Sequence, residues 1–407
     1  MNGAEALIET LYNAGIAVCF ANPGTSEMQL VAAIDKHPDM RGVLGLFEGV
    51  VTGAADGYGR MADKPAATLL HLGPGLANGL ANLHNARRGG SPVVNVVGDH
   101  ATDHQALDAP LSSDIESLAR PMSAWVRASS SADDLAALGA EAVAAAAGAA
   151  HGRSGAVATL IAPANHAWEE ASGAVEATAP APPTTIDDAR IDAAAAALKS
   201  GAPCALFAGG LALRENALDA LGRIAAATGA RLLCETFPSR LQRGAGRVPV
   251  ERLPYFGEMA AEALSPFAHI ILAGAKEPVA FFAYPGKPGR LAPEASLLPL
   301  VGPEDDIADA LERLAAAVSA PDAHDLAQQP FAPPPAAGKL DAAGVAAALS
   351  ELMPEDAIVS DEAATAGLAM FPMTQGAPRH DWITLTGGSI GQSLPVGVGA
   401  AIACPDR

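Results

Sequence analysis

The chain has 407 residues, 50% hydrophobic and 17% charged, which suggests two or three cored domains and excludes a disordered chain. Its 45 acidic residues against 25 Lys and Arg give a formal net charge of −20. So acidic a surface repels phosphate, which argues against nucleic acid and anionic membranes as partners.

The first segment alternates helix and strand. "AEALIETLYNAG" carries apolar residues at helical spacing (Ala4, Leu7, Ile8, Leu11) and stops at Gly15. The start reads as a helix, not as a charged-then-apolar leader. A short buried strand, "IAVCF", leads into the turn "NPGTSE", where Thr25 or Ser26 can cap the helix "EMQLVAAIDKH". Strand "VLGLF", helix "GVVTGAADGYGRMA", strand "PAATLLHL", helix "GLANGLANLHNARR" and strand "SPVVNVVGD" follow, and alanine-rich 135–150 predicts a packed helix. Near-continuous apolar strands separated by helices predict a parallel sheet covered on both faces. Ligands of such sheets sit beyond the carboxyl ends of the strands, where "NPGTSE", "FEGV", "HLGPG" and "GDHATDH" all fall.

A proline-rich linker at 177–188 precedes a second α/β block with strands "CALFAGG", "ARLLCET", "HIILAGA" and "ASLLPLVG". A second linker, 320–338, precedes a third block: helix "LDAAGVAAALSELM", strand "AIVSD", a further helix and strand, and the glycine-rich "TGGSIGQSLPVGVGAAIACPDR". So few strands cannot bury a core alone, so more of this domain is expected beyond Arg407. No uninterrupted apolar span reaches about 18 residues, so no transmembrane helix is expected. The four cysteines (Cys19, Cys204, Cys234, Cys404) are scattered among apolar neighbours, which suggests free thiols in a reducing, cytoplasmic setting.

Six stretches in order point to one family: "NPGTSE" (22–27), "EGVVTGAADGYGRM" (48–61), "HLGPGLANGLANL" (71–83), "SPVVNVVGD" (91–99), "SDEAATAG" (360–367) and "GGSIGQSLPVGVGAA" (387–401). With these, the chain resembles the thiamine-diphosphate-dependent enzymes of the acetolactate synthase, benzoylformate decarboxylase and pyruvate decarboxylase group. The resemblance implies an α/β fold of three consecutive parallel-sheet domains. These are a pyrimidine-binding domain at 1–172, a central Rossmann-like domain at 186–320, and the N-terminal part of a diphosphate-binding domain at 340–407. It also implies cleavage or formation of a C–C bond next to the carbonyl of a 2-oxo acid, by a decarboxylase or an acetolactate synthase-like carboligase.

The chemistry gives Glu48 a purpose. In this family the cofactor's own aminopyrimidine removes the thiazolium C2 proton, and a carboxyl group bonded to its ring nitrogen makes it basic enough. Such an acid needs a low-dielectric place, and small residues at Gly49, Gly53, Ala54 and Ala55 let the helix after Glu48 pack closely. Taken alone, a first-turn Glu is explained by the helix dipole; the five companion motifs favour catalysis. His71 matches the active-site histidine of the decarboxylase branch, near the substrate, where a neutral imidazole can hold a carboxylate or move a proton; a hydrogen-bonded strand-end histidine is the bland alternative. A second active-site histidine of that branch has no counterpart in "FPSRLQRGAGRVPVERLPYFGE" (237–258).

The resemblance places Thr25 at a hydroxyl facing the substrate, although a helix cap is the simpler reading of that residue. Pro23 and Gly24 would bring backbone near the cofactor. Ile390 matches the apolar wedge between the cofactor rings, Gly388 the carbonyl that accepts the 4′-amino hydrogen, and Thr365 a diphosphate contact. His100 and His104 read as a surface loop, not a metal pair.

The family's Gly-Asp-Gly motif that holds Mg²⁺ would begin after Arg407, so no metal ligand is named in this sequence; a chain ending there is expected to bind the cofactor feebly. "LFAGGLALRENA" offers only Gly209 and Gly210, a partial fingerprint for FAD or ADP. The family's active site lies between subunits, which implies a homodimer or homotetramer. A non-catalytic cofactor- or nucleotide-binding scaffold is the alternative, and an intact Glu48 argues against it.

Overall fold

The computed structural model of the chain describes residues 1–327, 338 and 340–407. The proline-rich heart of the second linker therefore lies outside the described residues. The chain forms two compact units, Met1–Pro182 with Leu385–Arg407, and Pro183–Thr384.

The first unit begins α1 (Gly3–Asn13), β1 (Val18–Asn22), α2 (Met28–Lys36), β2 (Arg41–Leu44), α3 (Glu48–Ala62), β3 (Ala66–Leu70), α4 (Leu72–Gly89) and β4 (Val93–Asp99). It continues through α5 (Ile115–Ala119), β5 (Trp125–Ala128), α6 (Ala132–Ala146), β6 (Val157–Pro163) and α7 (Ala164–Trp168). A reciprocal capping box starts α1: the Asn2 side chain accepts the Glu5 N–H at 2.9 Å and the Glu5 carboxylate accepts the Asn2 N–H at 3.2 Å. The six strands form one wholly parallel sheet in the order β2-β1-β3-β4-β6-β5. The alternation of side chains sends Cys19 to one face, with Leu7, Leu69, Val96 and Leu135, and Phe20 to the other, with Val51, Leu70, Leu83 and Val97. Both faces are thus cored, as apolar strands require.

Register sets the rim. Asn22 pairs with Leu70, and Leu70 with Val97. The turns after β1, β3 and β4 therefore emerge side by side. β1 runs two residues past the expected end, because Ile16 is still turning out of α1 (its N–H donates to Leu11 O at 3.0 Å). β2 stops at Leu44, so the bend at 45–47 leads into α3, with Phe47 at the N-cap.

The second unit holds α8 (Asp188–Lys199), β7 (Cys204–Ala208), α9 (Glu215–Thr228), β8 (Arg231–Cys234), β9 (Leu241–Arg243), β10 (Glu251–Arg252), α10 (Gly257–Leu264), β11 (His269–Ala273), β12 (Leu297–Val301) and α11 (Ile307–Ala317). Then come α12 (Ala342–Leu352), β13 (Ala357–Asp361), α13 (Gly367–Met373) and β14 (His380–Thr384). One sheet, β10-β8-β7-β11-β12, is wholly parallel. The third sheet is small and mixed: β13 and β14 are parallel, and β9, from the central segment, joins antiparallel. Arg243 on β9 is buried there with its guanidinium 3.9 Å from the Phe371 ring centroid, and burial pushes its pKa down to about 9, so it stays cationic at neutral pH.

The last helix, α14 (Ser393–Ala403), belongs to the first unit and packs along α3. Of the small residues expected to allow close packing, Gly53 and Ala54 meet α14: a methyl at Gly53 would stand 2.8 Å from Pro395 Cγ, and one at Gly399 1.8 Å from the Ala54 carbonyl oxygen. Gly57 adds a further contact, since a methyl there would stand 2.0 Å from the Val396 carbonyl oxygen. A buried polar cluster pins the approach: Asp56 accepts from Arg60 (2.7 Å), Ser91 (2.5 Å) and Gln392 (2.5 Å), and Arg60 donates to Thr386 at 3.0 Å.

Candidate active site

The site is built around the first turn of α4. Glu48, the first residue of α3, is half-buried, and its Oε2 accepts from Asn78 Nδ2 at 3.0 Å. Its Oε1 has no hydrogen-bond partner among the described residues and faces bare backbone: a methyl at Gly75 would lie 3.4 Å from that oxygen and 3.5 Å from His71 Cβ. Glu48 and His71 therefore flank one glycine.

Behind His71 stands a residue that sequence reasoning missed. Glu27 is fully buried, and its Oε2 lies 2.7 Å from His71 Nδ1 and accepts the Gly24 N–H at 2.8 Å. Gly24 packs flat on the imidazole, since a methyl there would fall 2.3 Å from Nδ1. The expected capping role of Thr25 or Ser26 is not what the structure has. The turn is capped by Gly24 with no side-chain bond, α2 starts at Met28 without a side-chain cap, and Thr25 is exposed. The available signal was an acid three residues after a cap position, a capping-box spacing. Leu72, next to His71, is fully buried at φ +48°, a strained conformation for a branched residue. Strain of that kind persists only where the surroundings over-determine the backbone.

One face of α4 carries a ladder of asparagines, also missed. Asn78 holds Glu48, Asn82 donates to the Gly49 carbonyl at 2.7 Å, and Asn85 donates to Asn82 at 2.9 Å and to the Ser389 carbonyl at 2.8 Å. Their spacing of four and three residues is one helical face. The Ser389 N–H donates back to Asn85 at 3.1 Å, and His84 Nε2 is 3.0 Å from the Gly387 carbonyl oxygen. The loop before α14 is thus tied to the helix that positions Glu48. Within it Gly388 sits at φ +76° with open space around its Cα, a conformation that favours glycine, and Ile390 is 85% exposed.

The remaining predicted residues are scattered. Pro23 is half-buried beside Gly24. Thr365 is exposed on the turn between β13 and α13, in the second unit. The rings of His100 and His104 lie 5.2 Å apart and tilted by 54° on the loop after β4, where burial raises the pKa of neighbouring Asp99. Among the described residues no three His, Cys, Asp or Glu side chains are grouped to hold a metal. In the turn after β7, a methyl at Gly209 would stand 2.8 Å from the Glu235 carboxyl carbon. For thiamine diphosphate the residues fit: an open carboxylate oxygen over a side-chain-free glycine, and an unobstructed Gly388 with an exposed Ile390.

Comparison with known proteins agrees. Residues 1–118 match the N-terminal TPP-binding domain of thiamine pyrophosphate enzymes. A Mycobacterium tuberculosis H37Rv protein, provisionally designated acetolactate synthase large subunit IlvX, is 52% identical over 414 residues, covering 100% of this chain and 78% of the relative. Benzoylformate decarboxylase of Pseudomonas aeruginosa is 33% identical over 132 residues, 32% of this chain and 25% of that protein. The crystallised thiamine-diphosphate-dependent 4-hydroxybenzoylformate decarboxylase of Rhodococcus jostii RHA1 superposes with a TM-score of 0.82 over 100% of this chain and 80% of its own, at 23% identity, a likeness of fold. The chain belongs to the thiamine-diphosphate-dependent enzymes of the acetolactate synthase and benzoylformate decarboxylase type.

Proposed function

We propose that the protein breaks or forms a C–C bond beside the carbonyl of a 2-oxo acid, with Glu48 as the acid that activates thiamine diphosphate. The observation that carries this reading is the Glu48 carboxyl: one oxygen anchored by Asn78, the other open over Gly75, with His71 beside the same glycine. When bound, the cofactor supplies a carbanion at its thiazolium C2 and a sink for the electrons released from the substrate.

The chain's own residues supply the rest. Glu48 Oε1 would face the ring nitrogen of the cofactor's pyrimidine and share its proton. Pro23 and Gly24 would present backbone to that ring, and the Gly388 carbonyl would accept from its amino group. Ile390 would pack against the bound cofactor, and Thr365 would offer a hydroxyl to its diphosphate. Thr25 and His71 meet the substrate, with His71 holding its carboxylate or moving a proton. On this reading 1–172 is the pyrimidine-binding domain, 186–320 the central domain and 340–407 the first part of the diphosphate-binding domain. Mg²⁺ belongs to the same reading, as does a cytoplasmic setting; among the described residues no helix is long and apolar enough to cross a membrane. A homodimer or homotetramer suits the surface beside Glu48, where Leu44, Leu46, Phe47 and Val50 are all exposed.

Calorimetry of the full-length protein with thiamine diphosphate and Mg²⁺, with aldehyde and acetolactate assayed on pyruvate and benzoylformate, tests the proposal. Glu48→Gln is expected to lower turnover by about 10²–10⁴-fold while the protein stays folded. Equal turnover in the two proteins removes Glu48 from the mechanism, and no turnover of any 2-oxo acid by the wild type favours the scaffold.

A further inference from the structure

We propose that Glu27 is a positioning residue that fixes which nitrogen of His71 carries the proton, leaving Nε2 as the free acceptor. Glu27 Oε2 accepts the Gly24 N–H at 2.8 Å and lies 2.7 Å from His71 Nδ1. A carboxylate oxygen only accepts, so the hydrogen of that contact sits on Nδ1 and the neutral ring keeps its lone pair at Nε2.

The other oxygen of Glu27 supports this. Among the described residues Oε1 is buried without a hydrogen-bond partner, and it lies against the Gly98 backbone, where a methyl would come within 1.7 Å of it. A proton on Oε1 would have no acceptor to reach. A fully buried carboxyl with one oxygen unpartnered is costly for packing alone, which points to a task at the other oxygen. The ring itself is clamped: Gly24 lies flat on it and the strained Leu72 backbone follows it, so neither its tilt nor its height is free. The inference rests on the reading that His71 acts on the substrate.

The test is the two-bond ¹H–¹⁵N spectrum of the chain labelled at its histidines, with His71→Gln used to identify the His71 signals. The wild type is expected to show a protonated Nδ1 and an unprotonated Nε2. Glu27→Gln is expected to keep that pattern, because an amide oxygen still accepts from both donors. Glu27→Leu is expected to shift His71 to the Nε2–H form that an unconstrained histidine side chain prefers, and to lower kcat by about 10²-fold with KM changed much less. A wild-type spectrum with the proton on Nε2 overturns the proposal, as does a folded Glu27→Leu protein with the Nδ1–H pattern intact. If the wild type turns over no 2-oxo acid, the reading of His71's task fails, while the spectra still decide what Glu27 does.

Discussion

The asparagine ladder of α4 separates stability from function along a single helix face. Asn82 is 6% exposed, donates to the Gly49 carbonyl at 2.7 Å and accepts from Asn85 at 2.9 Å. Asn82→Ala strips a partner from each of those groups, and an orphaned buried polar group costs about 1–3 kcal/mol. Neither group is fully orphaned. The Gly49 carbonyl keeps a long contact with the Thr52 hydroxyl at 3.4 Å, and the Asn85 amide keeps Ser389 at 2.8 Å. The low end of the range, about 1–1.5 kcal/mol, therefore applies twice, for a loss of about 2–3 kcal/mol. In a unit of this size each kcal/mol moves the midpoint by about 2–4 °C, so a fall of roughly 5–10 °C is expected by scanning calorimetry. Asn78 is exposed and holds only the Glu48 carboxylate. Asn78→Ala should change stability by about 0.5 kcal/mol or less, yet it frees the carboxylate and should weaken thiamine diphosphate binding about fivefold. If Asn82→Ala melts with the wild type, or Asn78→Ala melts as early as Asn82→Ala, the ladder is not what holds α3 and the loop before α14 in place.

Two further outcomes follow from the packing. Gly57→Ala drives a methyl into the Val396 carbonyl oxygen at 2.0 Å and should cost about 3 kcal/mol or more, whereas Gly397→Ala, with nothing within 4 Å, should be neutral or gain up to about 1 kcal/mol of helix propensity; urea unfolding of the pair checks both, and equal midpoints would refute the close α3–α14 contact. His380 is buried, and desolvation together with nearby Arg243 and Arg247 pushes its pKa down from 6.5 to about 4. The unfolded chain takes up a proton below pH 6.5 and the folded one does not until about pH 4, so stability falls as pH drops through that window. The loss is about 2 kcal/mol at pH 5 and about 3 kcal/mol in full. His380→Gln should flatten the fall in urea-derived stability between pH 7 and pH 5 by that amount, and parallel curves would show that the ring does not titrate this way.

Backbone order was legible because the first unit obeys a rule that sequence carries openly. Strands such as "SPVVNVVGD" are apolar throughout, and only a sheet covered on both faces buries them. The convergence of "NPGTSE" and "HLGPG" on one rim followed from that, since parallel strands put like ends together. Gly53 and Ala54 were visible as small residues, but their partner was not, because spacing says that a helix packs closely without saying against what. Strand β9 was missed for a related reason. "LQR" has three residues, two of them polar, and its pairing with β14 depends on buried contacts of Arg240 and Arg243 that no local pattern encodes.

The side-chain partners at the site fall between these cases. Asn78, Asn82 and Asn85 lie at the spacing of one helix face and were readable as such, but an amide can turn to either neighbour and the sequence does not say which. Glu27 was harder still. At the head of α2 it satisfies every expectation of a helix-start acid, and only tertiary register, Asn22 against Leu70, brings His71 over its carboxylate. An acid at a helix start therefore has two destinations, the local dipole or a side chain one strand away. Glu48 took the second, reaching Asn78 of α4, and Glu27 took both, accepting the Gly24 N–H of its own turn and meeting His71 at the start of α4.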